Sequence, residues 1–222
     1  MKRSLLSRLT PPLVISWVCA AAALFLFARL AEEIHGGETR PFDDAVRSFV
    51  HAHSSDVLTS IMRGFTILGS TPSVTLLATA ACLALWFFGH WRRSILIAIT
   101  AIGASLLTWV LKLSFHRARP QPFFDTKLPA SFSFPSGHAF ISFCLCGAAA
   151  ALLTANQRSR PIRLAIWTIA MSIAFAIGYS RIYLGVHYPT DVLAGYLGAT
   201  VWVLGVGIAY QSWRKAPPSE SE

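Results

Sequence analysis

Charged residues are scarce in this sequence. Only 13% of the 222 residues are Asp, Glu, Lys or Arg, whereas a soluble domain carries about 25%. Hydrophobic residues make up 54% of the chain, and the mean hydropathy is +0.54. Cysteine is also rare, and the spacing of the four cysteines supports neither a disulfide framework nor a zinc site. These shortages argue against a soluble globular domain, a disulfide scaffold and a zinc protein.

Acidic residues are the scarcer charge type, with 10 against 19 basic residues and a net charge of +9. A basic balance often indicates nucleic-acid binding. Here the cations flank long apolar runs instead. When successive runs cross the membrane in alternate directions from an inner N-terminus, the segments on the inner side are short and basic. By the positive-inside rule, both termini are predicted to be cytoplasmic. We therefore expect a bilayer partner and no nucleic acid.

Six apolar runs are each long enough to cross a bilayer core of about 30 Å. Because backbone in lipid must satisfy its own hydrogen bonds, and because the runs do not alternate in polarity, they are predicted to be helices. The first run resembles a signal peptide, but its length and the poor cleavage site after it favour a retained span. The sequence predicts an all-α polytopic protein of the cytoplasmic membrane, a single domain over residues 1–222. Its six predicted transmembrane helices are 13–30, 72–89, 94–113, 138–155, 162–180 and 189–210.

The longest segment between runs, residues 31–71, carries apolar residues at helical spacing in two places. The first set is Phe42, Ala45, Val46, Phe49 and Val50, and the second is Val57, Leu58, Ile61, Met62 and Phe65. We expect two short amphipathic helices on the outer surface. The polar tail, residues 211–222, is predicted to be disordered.

Two polar clusters lie at the outer ends of the third and fourth runs. The first, KLSFHRARP, begins at Lys112 and contains Arg119, although a lysine at a span end can also simply reach the interface. The second, PSGH, ends in His138. Ser136 suits the N-cap of the next helix, Gly137 allows close backbone approach, and a helix N-terminus binds anions. Plain helix capping is the alternative interpretation.

The third cluster, SRIYLGVHYPTD, begins at Ser180 and ends at Asp191. Pro189 suits the first turn of the last helix, which places His187 just before that helix. His187 and Asp191 are four residues apart, so their side chains can meet. A carboxylate on one imidazole nitrogen fixes the tautomer and leaves the other nitrogen free as a nucleophile or base. Asp191 could instead serve only as a helix-capping acid.

All three clusters open on the same face of the predicted bundle. Together they offer two histidines, one acid, a helix N-terminus and three cations, Lys112, Arg119 and Arg181. Three cations can neutralise a phosphate that carries about two charges, and arginine binds phosphate oxygens in pairs. The predicted ligand is therefore a phosphate ester at the boundary between lipid and water.

These motifs resemble the signatures of the type-2 phosphatidic acid phosphatases, the lipid phosphate phosphatases. That family has Lys-x6-Arg-Pro, Pro-Ser-Gly-His and Ser-Arg-x5-His-x3-Asp. Every fixed position is present here, in order and at the family's spacing, over residues 112–191. The six predicted spans extend the resemblance to most of the chain.

The resemblance implies a role for each matching residue. His187 would be the nucleophile that becomes phosphohistidine, and Asp191 its orienting partner. His138 would be the general acid that protonates the leaving oxygen and then the base that activates water. No metal cofactor is implied. The phosphate cradle would consist of Lys112, Arg119, Ser136, Gly137 and Arg181.

The leading functional hypothesis is a membrane lipid-phosphate phosphatase that acts on the outer face. Its candidate substrates are undecaprenyl diphosphate, phosphatidylglycerophosphate and phosphatidic acid. A phosphotransferase, in which a lipid acceptor replaces water, is the related alternative. A transporter would place its charges near mid-membrane rather than at span ends. A vanadate-dependent haloperoxidase is at odds with the six spans.

The loop between the first two clusters contains four phenylalanines, at positions 123, 124, 132 and 134. In one interpretation the rings dip into the outer leaflet and guide a lipid headgroup inward. In the other they pack the loop onto the helices. The sequence alone does not separate the two.

Overall fold

The computed structural model describes residues 11–215, which form eight α-helices and no strand. In chain order they are α1 (Pro11–Gly36), α2 (Arg40–Ala52), α3 (Asp56–Leu68), α4 (Thr71–Phe87), α5 (Trp91–Phe115), α6 (Gly137–Thr154), α7 (Arg160–Tyr183) and α8 (Pro189–Lys215). Because α8 continues through Lys215, the first five residues of the tail predicted to be disordered are helical. The rest of that tail lies outside the described residues.

Five helices, α1, α5, α6, α7 and α8, are individually long and apolar enough to cross a membrane. The remaining run predicted at 72–89 is the shorter helix α4. It meets the same test only together with α3, from which it is bent by 51°. The prediction of an all-α polytopic membrane fold is therefore confirmed, with a broken sixth element in place of a simple span.

Serine and glycine set the ends of the broken element. The hydroxyl groups of Ser55 and Ser70 accept hydrogen bonds from the backbone N–H groups of Leu58 and Ser73, which caps α3 and α4. Gly89 has a φ of 75°, in the left-handed region that glycine adopts without a steric penalty, and it turns the chain from α4 towards α5.

Helix α6 lies at the centre of the bundle in contact with α5, α7 and α8, and α1 packs along α8. Glycines let α8 approach α6 closely. A Cβ atom added at Gly195 would lie 2.9 Å from the carbonyl oxygen of Ser136, and one at Gly198 would lie 2.6 Å from the Phe140 ring. The starts of α6 and α8 are therefore side by side, which brings the second and third clusters together.

The two short helices predicted in residues 31–71 exist as α2 and α3, but they pack into the bundle as well as covering it. Val50 of α2 and Met62 of α3 are buried against Tyr183 and the loop after α7. The hydroxyl groups of Tyr183 and Thr59 are hydrogen-bonded at 2.9 Å. Apolar spacing predicted the helices, but the partner that buries them is distant in sequence.

Three of the four loop phenylalanines pack onto the helices. Phe134 is fully buried, with its ring centroid 5.7 Å from that of Phe27 and 4.7 Å from that of Phe115. Phe124 stacks on Tyr183 of α7 and Phe123 on His51 of α2, whereas Phe132 meets His116, just after α5, edge-on. The packing interpretation therefore accounts for Phe123, Phe124 and Phe134.

Candidate active site

The three polar clusters meet at one end of the bundle, where α5 and α7 end and α6 and α8 begin. The backbone N–H of Ser136 donates to the carbonyl oxygen of Asp191 at 3.0 Å, which joins the second cluster to the third. The guanidinium of Arg119 lies 3.0 Å from Nε2 of His187, which joins the first cluster to the third. Residues that are up to eighty positions apart in sequence therefore line one site.

The His187 ring is 2% exposed and has a different partner on each nitrogen. Nδ1 lies 3.3 Å from Oδ2 of Asp191, and Nε2 lies 3.0 Å from Nη1 of Arg119. A guanidinium has only donors, so Nε2 must accept, and the ring proton is on Nδ1 and points to the carboxylate. This tautomer places the ring lone pair on Nε2, where it can act as a nucleophile once the Arg119 guanidinium turns to a ligand.

Burial lowers the pKa of His187 to about 3. The hydrogen bond and charge of Asp191 oppose this shift, and the positive charges of Arg119 and Arg181 add to it. The ring is therefore neutral at neutral pH, the form in which one ring nitrogen keeps a lone pair.

This lowered pKa predicts how stability changes with pH. Below about pH 6.5 an unfolded chain binds a proton at this imidazole while the folded chain does not, so the folded state loses stability as pH falls from about 6.5 towards 3. We expect the melting temperature to fall more between about pH 7 and about pH 5 in the wild type than in His187→Gln. The exposed His53→Gln variant is the control and should follow the wild type. Equal losses in all three proteins would contradict the assignment of a buried neutral ring.

Asp191 is fully buried and its two oxygens have several donors. Oδ1 accepts from Arg117 at 2.6 Å, while Oδ2 accepts from the backbone N–H of Tyr188 at 2.9 Å and from the Ser133 hydroxyl. These bonds hold the carboxylate ionised and aimed at Nδ1 of His187. Asp191 therefore does more than cap α8, which was the alternative interpretation.

Arg117 links Asp191 to a second buried carboxylate that the motifs do not include. Its Nη2 donates to Oδ2 of Asp43 at 2.7 Å, and Asp43 also accepts from the backbone N–H and hydroxyl of Thr190. The Arg117 guanidinium lies 4.2 Å from the centroid of the Tyr188 ring. Burial alone would lower the pKa of Arg117, but the two carboxylates outweigh it and raise that pKa. Arg117 therefore stays charged between two anions.

Sequence reasoning missed both members of this pair. KLSFHRARP contains two arginines, and only Arg119 falls at a position that the family pattern fixes. Asp43 is one of several acids in residues 31–71 and has no sequence signal of its own. A signal for the pair exists only in the fold, where α2 packs against the start of α8.

Arg119 and Lys112 are positioned by backbone carbonyl groups of the loop before α6. Arg119 donates to the carbonyl oxygens of Ser131 at 2.7 Å and Phe132 at 3.2 Å, and to that of Val186 at 2.9 Å. The ammonium of Lys112 donates to the same Phe132 oxygen. The two cations therefore share one carbonyl oxygen, and Arg119 also lies beside Nε2 of His187.

Ser136 and Arg181 have buried polar atoms without partners. Among the described residues three buried side-chain atoms lack a hydrogen-bond partner: Arg47 Nε, Ser136 Oγ and Arg181 Nε. Ser136 stands at the N-cap position of α6, as predicted, but its hydroxyl caps no backbone N–H. A buried unpaired donor costs about 1–3 kcal/mol, so such atoms suit a ligand that accepts hydrogen bonds. Two of the three belong to the predicted phosphate cradle.

His138 lies in the first turn of α6 against the break between α3 and α4. A Cβ atom added at Gly69 would lie 3.2 Å from Cδ2 of the His138 ring. Arg181 donates to the Thr66 hydroxyl. The segment 31–71 therefore walls the site, a role that the sequence did not reveal.

The donor set suits an anion better than a cation. Within residues 11–215 no group of three or more His, Cys, Asp or Glu side chains is arranged to hold a metal ion. The predicted cradle residues are instead cations, a hydroxyl and the N-terminus of α6 at Gly137. Such a set can bind a tetrahedral oxyanion and stabilise the charge that develops during phosphoryl transfer.

Comparison with known proteins was made at the levels of sequence and fold. The sequence profile of the PAP2 superfamily matches residues 94–215, more than half of the chain. Phosphatidylglycerophosphatase B of Bacillus subtilis is 32% identical over 189 residues, which cover 83% of this chain and 92% of that protein. Undecaprenyl-diphosphatase of Sulfolobus acidocaldarius is 33% identical over 126 residues, 54% of each protein.

Two solved structures share the fold. A transmembrane PAP2-type phosphatidylglycerolphosphate phosphatase from Bacillus subtilis has a TM-score of 0.81 at 28% identity, covering 89% of this chain and 98% of that chain. Aquifex aeolicus LpxE has a TM-score of 0.57 at 24% identity, covering 77% and 95%. The resemblance drawn from the three motifs is thereby confirmed, and the chain belongs to the PAP2 superfamily.

Proposed function

We propose that the protein hydrolyses a phosphate group from a membrane lipid through a phosphohistidine at His187. The observation that carries the proposal is the pair of contacts on this ring. Nδ1 faces the Asp191 carboxylate, and Nε2 faces the guanidinium of Arg119. A phosphate that Arg119 binds would therefore be next to the Nε2 lone pair. This arrangement supplies positioning and charge stabilisation, which are the main requirements of phosphoryl transfer.

In the first step the Nε2 lone pair of His187 forms a bond to phosphorus while the bond from phosphorus to the lipid oxygen breaks. The leaving oxygen takes a proton from His138. The phosphorylated imidazole gains a positive charge, which the Asp191 carboxylate stabilises. Lys112, Arg119 and Arg181 balance the charge on the phosphoryl oxygens, and the unpaired Ser136 hydroxyl can donate to one of them.

In the second step a water molecule attacks the phosphohistidine. His138, now neutral, takes a proton from that water as the new oxygen–phosphorus bond forms. The bond from phosphorus to Nε2 then breaks, inorganic phosphate leaves, and both histidines return to their starting states. A positioned acid or base of this kind contributes roughly 10²- to 10⁴-fold to the rate.

The substrates that we propose are phosphatidylglycerophosphate, undecaprenyl diphosphate and phosphatidic acid. The names of the two sequence relatives support the first two. The site lies at helix ends rather than at mid-bundle, which suits a lipid whose phosphate stays at the interface. We further propose that both termini are cytoplasmic and that the site faces the outer side, from the positive-inside distribution of the arginines.

A phosphate-release panel tests this function. The purified protein in detergent is given each of the three lipid phosphates with a metal chelator present and no added acceptor. We expect free phosphate from at least one lipid at a rate that the chelator does not reduce. Release only after a lipid acceptor is added would indicate a phosphotransferase instead. No release from any lipid, from a protein that remains folded, would contradict the proposal.

A further inference from the structure

The end of the bundle opposite the active site has no acidic residue among those the structure describes. The sequence has ten acids, and two of them, Glu220 and Glu222, follow residue 215. The other eight lie on helix ends and loops around the active site: Glu32, Glu33, Glu38, Asp43, Asp44, Asp56, Asp125 and Asp191. At the opposite end, where α5 and α7 begin, stand five arginines: Arg92, Arg93, Arg158, Arg160 and Arg163.

A cavity of about 470 Å³ opens at this end between α5, α6 and α8. Arg93, Tyr210 and Gln211 supply its polar groups, and the rest of its lining is apolar. The half-buried Arg93 guanidinium has no hydrogen bond, ion pair or ring contact with any described residue. A partly desolvated arginine beside a cavity, with no described acid nearby, is suited to bind an anion from outside.

An apolar groove of about 400 Å³ adjoins this cavity and shares Leu96 and Tyr210 with it. It runs between α5 and α8, where Gly205 leaves room: a Cβ atom there would meet nothing within 4 Å. Trp202 lines the end of the groove nearer the active site, with its indole N–H donating to the carbonyl oxygen of Thr100. The groove is thus an apolar slot between two membrane-spanning helices, and Arg93 lines the cavity that adjoins it.

Aromatic side chains support the cationic end of the groove. The Arg92 guanidinium lies 5.2 Å from the Trp91 ring centroid and 5.5 Å from that of Trp213. Tryptophan is typical of the headgroup level of a bilayer, and basic pockets between spans bind anionic headgroups. The basic residues at this end therefore lie at the depth at which a lipid carries its charged headgroup.

We propose that this cavity and the adjoining groove together bind one anionic phospholipid from the leaflet opposite the active site. The phosphate contacts Arg93, with Arg92 and Tyr210 beside it, and an acyl chain lies in the groove between α5 and α8. A nucleotide or inorganic phosphate would leave the apolar slot without a partner. The site is separate from the proposed reaction and does not depend on it.

Native mass spectrometry of the detergent-solubilised protein tests the site. The probes are dioleoylphosphatidylglycerol and its zwitterionic counterpart dioleoylphosphatidylcholine. We expect one phosphatidylglycerol to bind more tightly than phosphatidylcholine, and we expect Arg93→Gln to weaken its binding by about tenfold, as for loss of a charge-assisted hydrogen bond. Arg163→Gln, an exposed arginine at the same end, is the matched control and should retain binding. Arg119→Gln should also retain it, which separates this lipid from one in the active site.

A second variant tests the groove without changing any charge. Gly205→Leu places a side chain in open space within the slot, and replacing a helical glycine should not weaken the helix. We expect it to displace the lipid, whereas Gly64→Leu, at a similarly open glycine on α3, should not.

A chain that ends at residue 215 tests whether the acidic tail is the true occupant. The proposal is overturned if Arg93→Gln and Arg163→Gln bind equally, if Gly205→Leu has no effect, or if only the shortened chain binds the lipid.

Discussion

His187→Ala is expected to reduce phosphate release by roughly 10⁴- to 10⁶-fold, the loss typical of removing a covalent nucleophile. The reason is geometric: Nε2 is the ring atom beside the Arg119 guanidinium, and Asp191 holds the proton on the other nitrogen. Two measurements check it: steady-state phosphate release and trapping of radiolabelled phosphoenzyme after an alkaline quench. The variant should give neither product nor phosphoenzyme.

Asp191→Asn is the matched comparison because it retains the His187 ring and changes only the carboxylate that orients it. Its loss should be smaller than that of His187→Ala, and some phosphoenzyme should still form. Normal phosphate release by His187→Ala with chelator present would rule out the phosphohistidine mechanism.

His138→Ala separates the two histidines. With a lipid ester both steps should slow, because the leaving oxygen and the attacking water each need the same ring. With an aryl phosphate, whose leaving group needs no acid, the first step should survive, so phosphoenzyme should accumulate. Failure to accumulate it would argue against His138 as the base of the second step.

Arg117→Met should cost the most stability. Asp43 and Asp191 are both 0% exposed, and Arg117 donates to each of them at 2.6–2.7 Å. Removing one partner from a buried ionic group costs about 3–5 kcal/mol, because the remaining charges lose their compensation. For a chain of this size, that loss would lower the melting temperature by about 10 °C. Thermal unfolding in detergent, followed by tryptophan fluorescence, measures the loss.

A second substitution shows whether uncompensated charge causes the loss of stability in Arg117→Met. Adding Asp43→Asn to Arg117→Met removes one of the two uncompensated carboxylates and should restore part of the melting temperature. Arg63→Met is the matched control, because Arg63 is exposed and its one hydrogen bond to a described residue is to a loop carbonyl oxygen. If the double variant is less stable than Arg117→Met alone, the pair does not act through its charges.

The sequence predicted the fold class and most residues of the candidate site because both depend on local patterns. Apolar run length defines spans, and fixed spacings such as the four residues from His187 to Asp191 place side chains on one side of a turn. The packing of Phe134 was left open, because an aromatic ring in a loop is equally compatible with lipid and with a protein core. The contact with Phe27 and Phe115 decides it.

The remaining parts depend on contacts between distant segments. Asp43 and Thr66 lie outside the residues 94–215 that match the superfamily profile, yet one binds Arg117 and the other binds Arg181. No periodicity in residues 31–71 indicates which polar side chain will face inward. These contacts arise from the way α2 and α3 fold back onto the ends of α7 and α8.

The hydrogen bond between Arg119 and Nε2 of His187 means that the resting protein keeps its own lone pair masked. In the proposed mechanism an incoming group must draw that guanidinium away before the ring can react, and an oxyanion offers it a stronger partner than a neutral oxygen does. Carboxylic esters and phosphotriesters carry no such charge and would meet a blocked nitrogen. Discrimination in favour of ionised phosphates would therefore come from the contact between Arg119 and His187, independently of how the lipid tail is recognised.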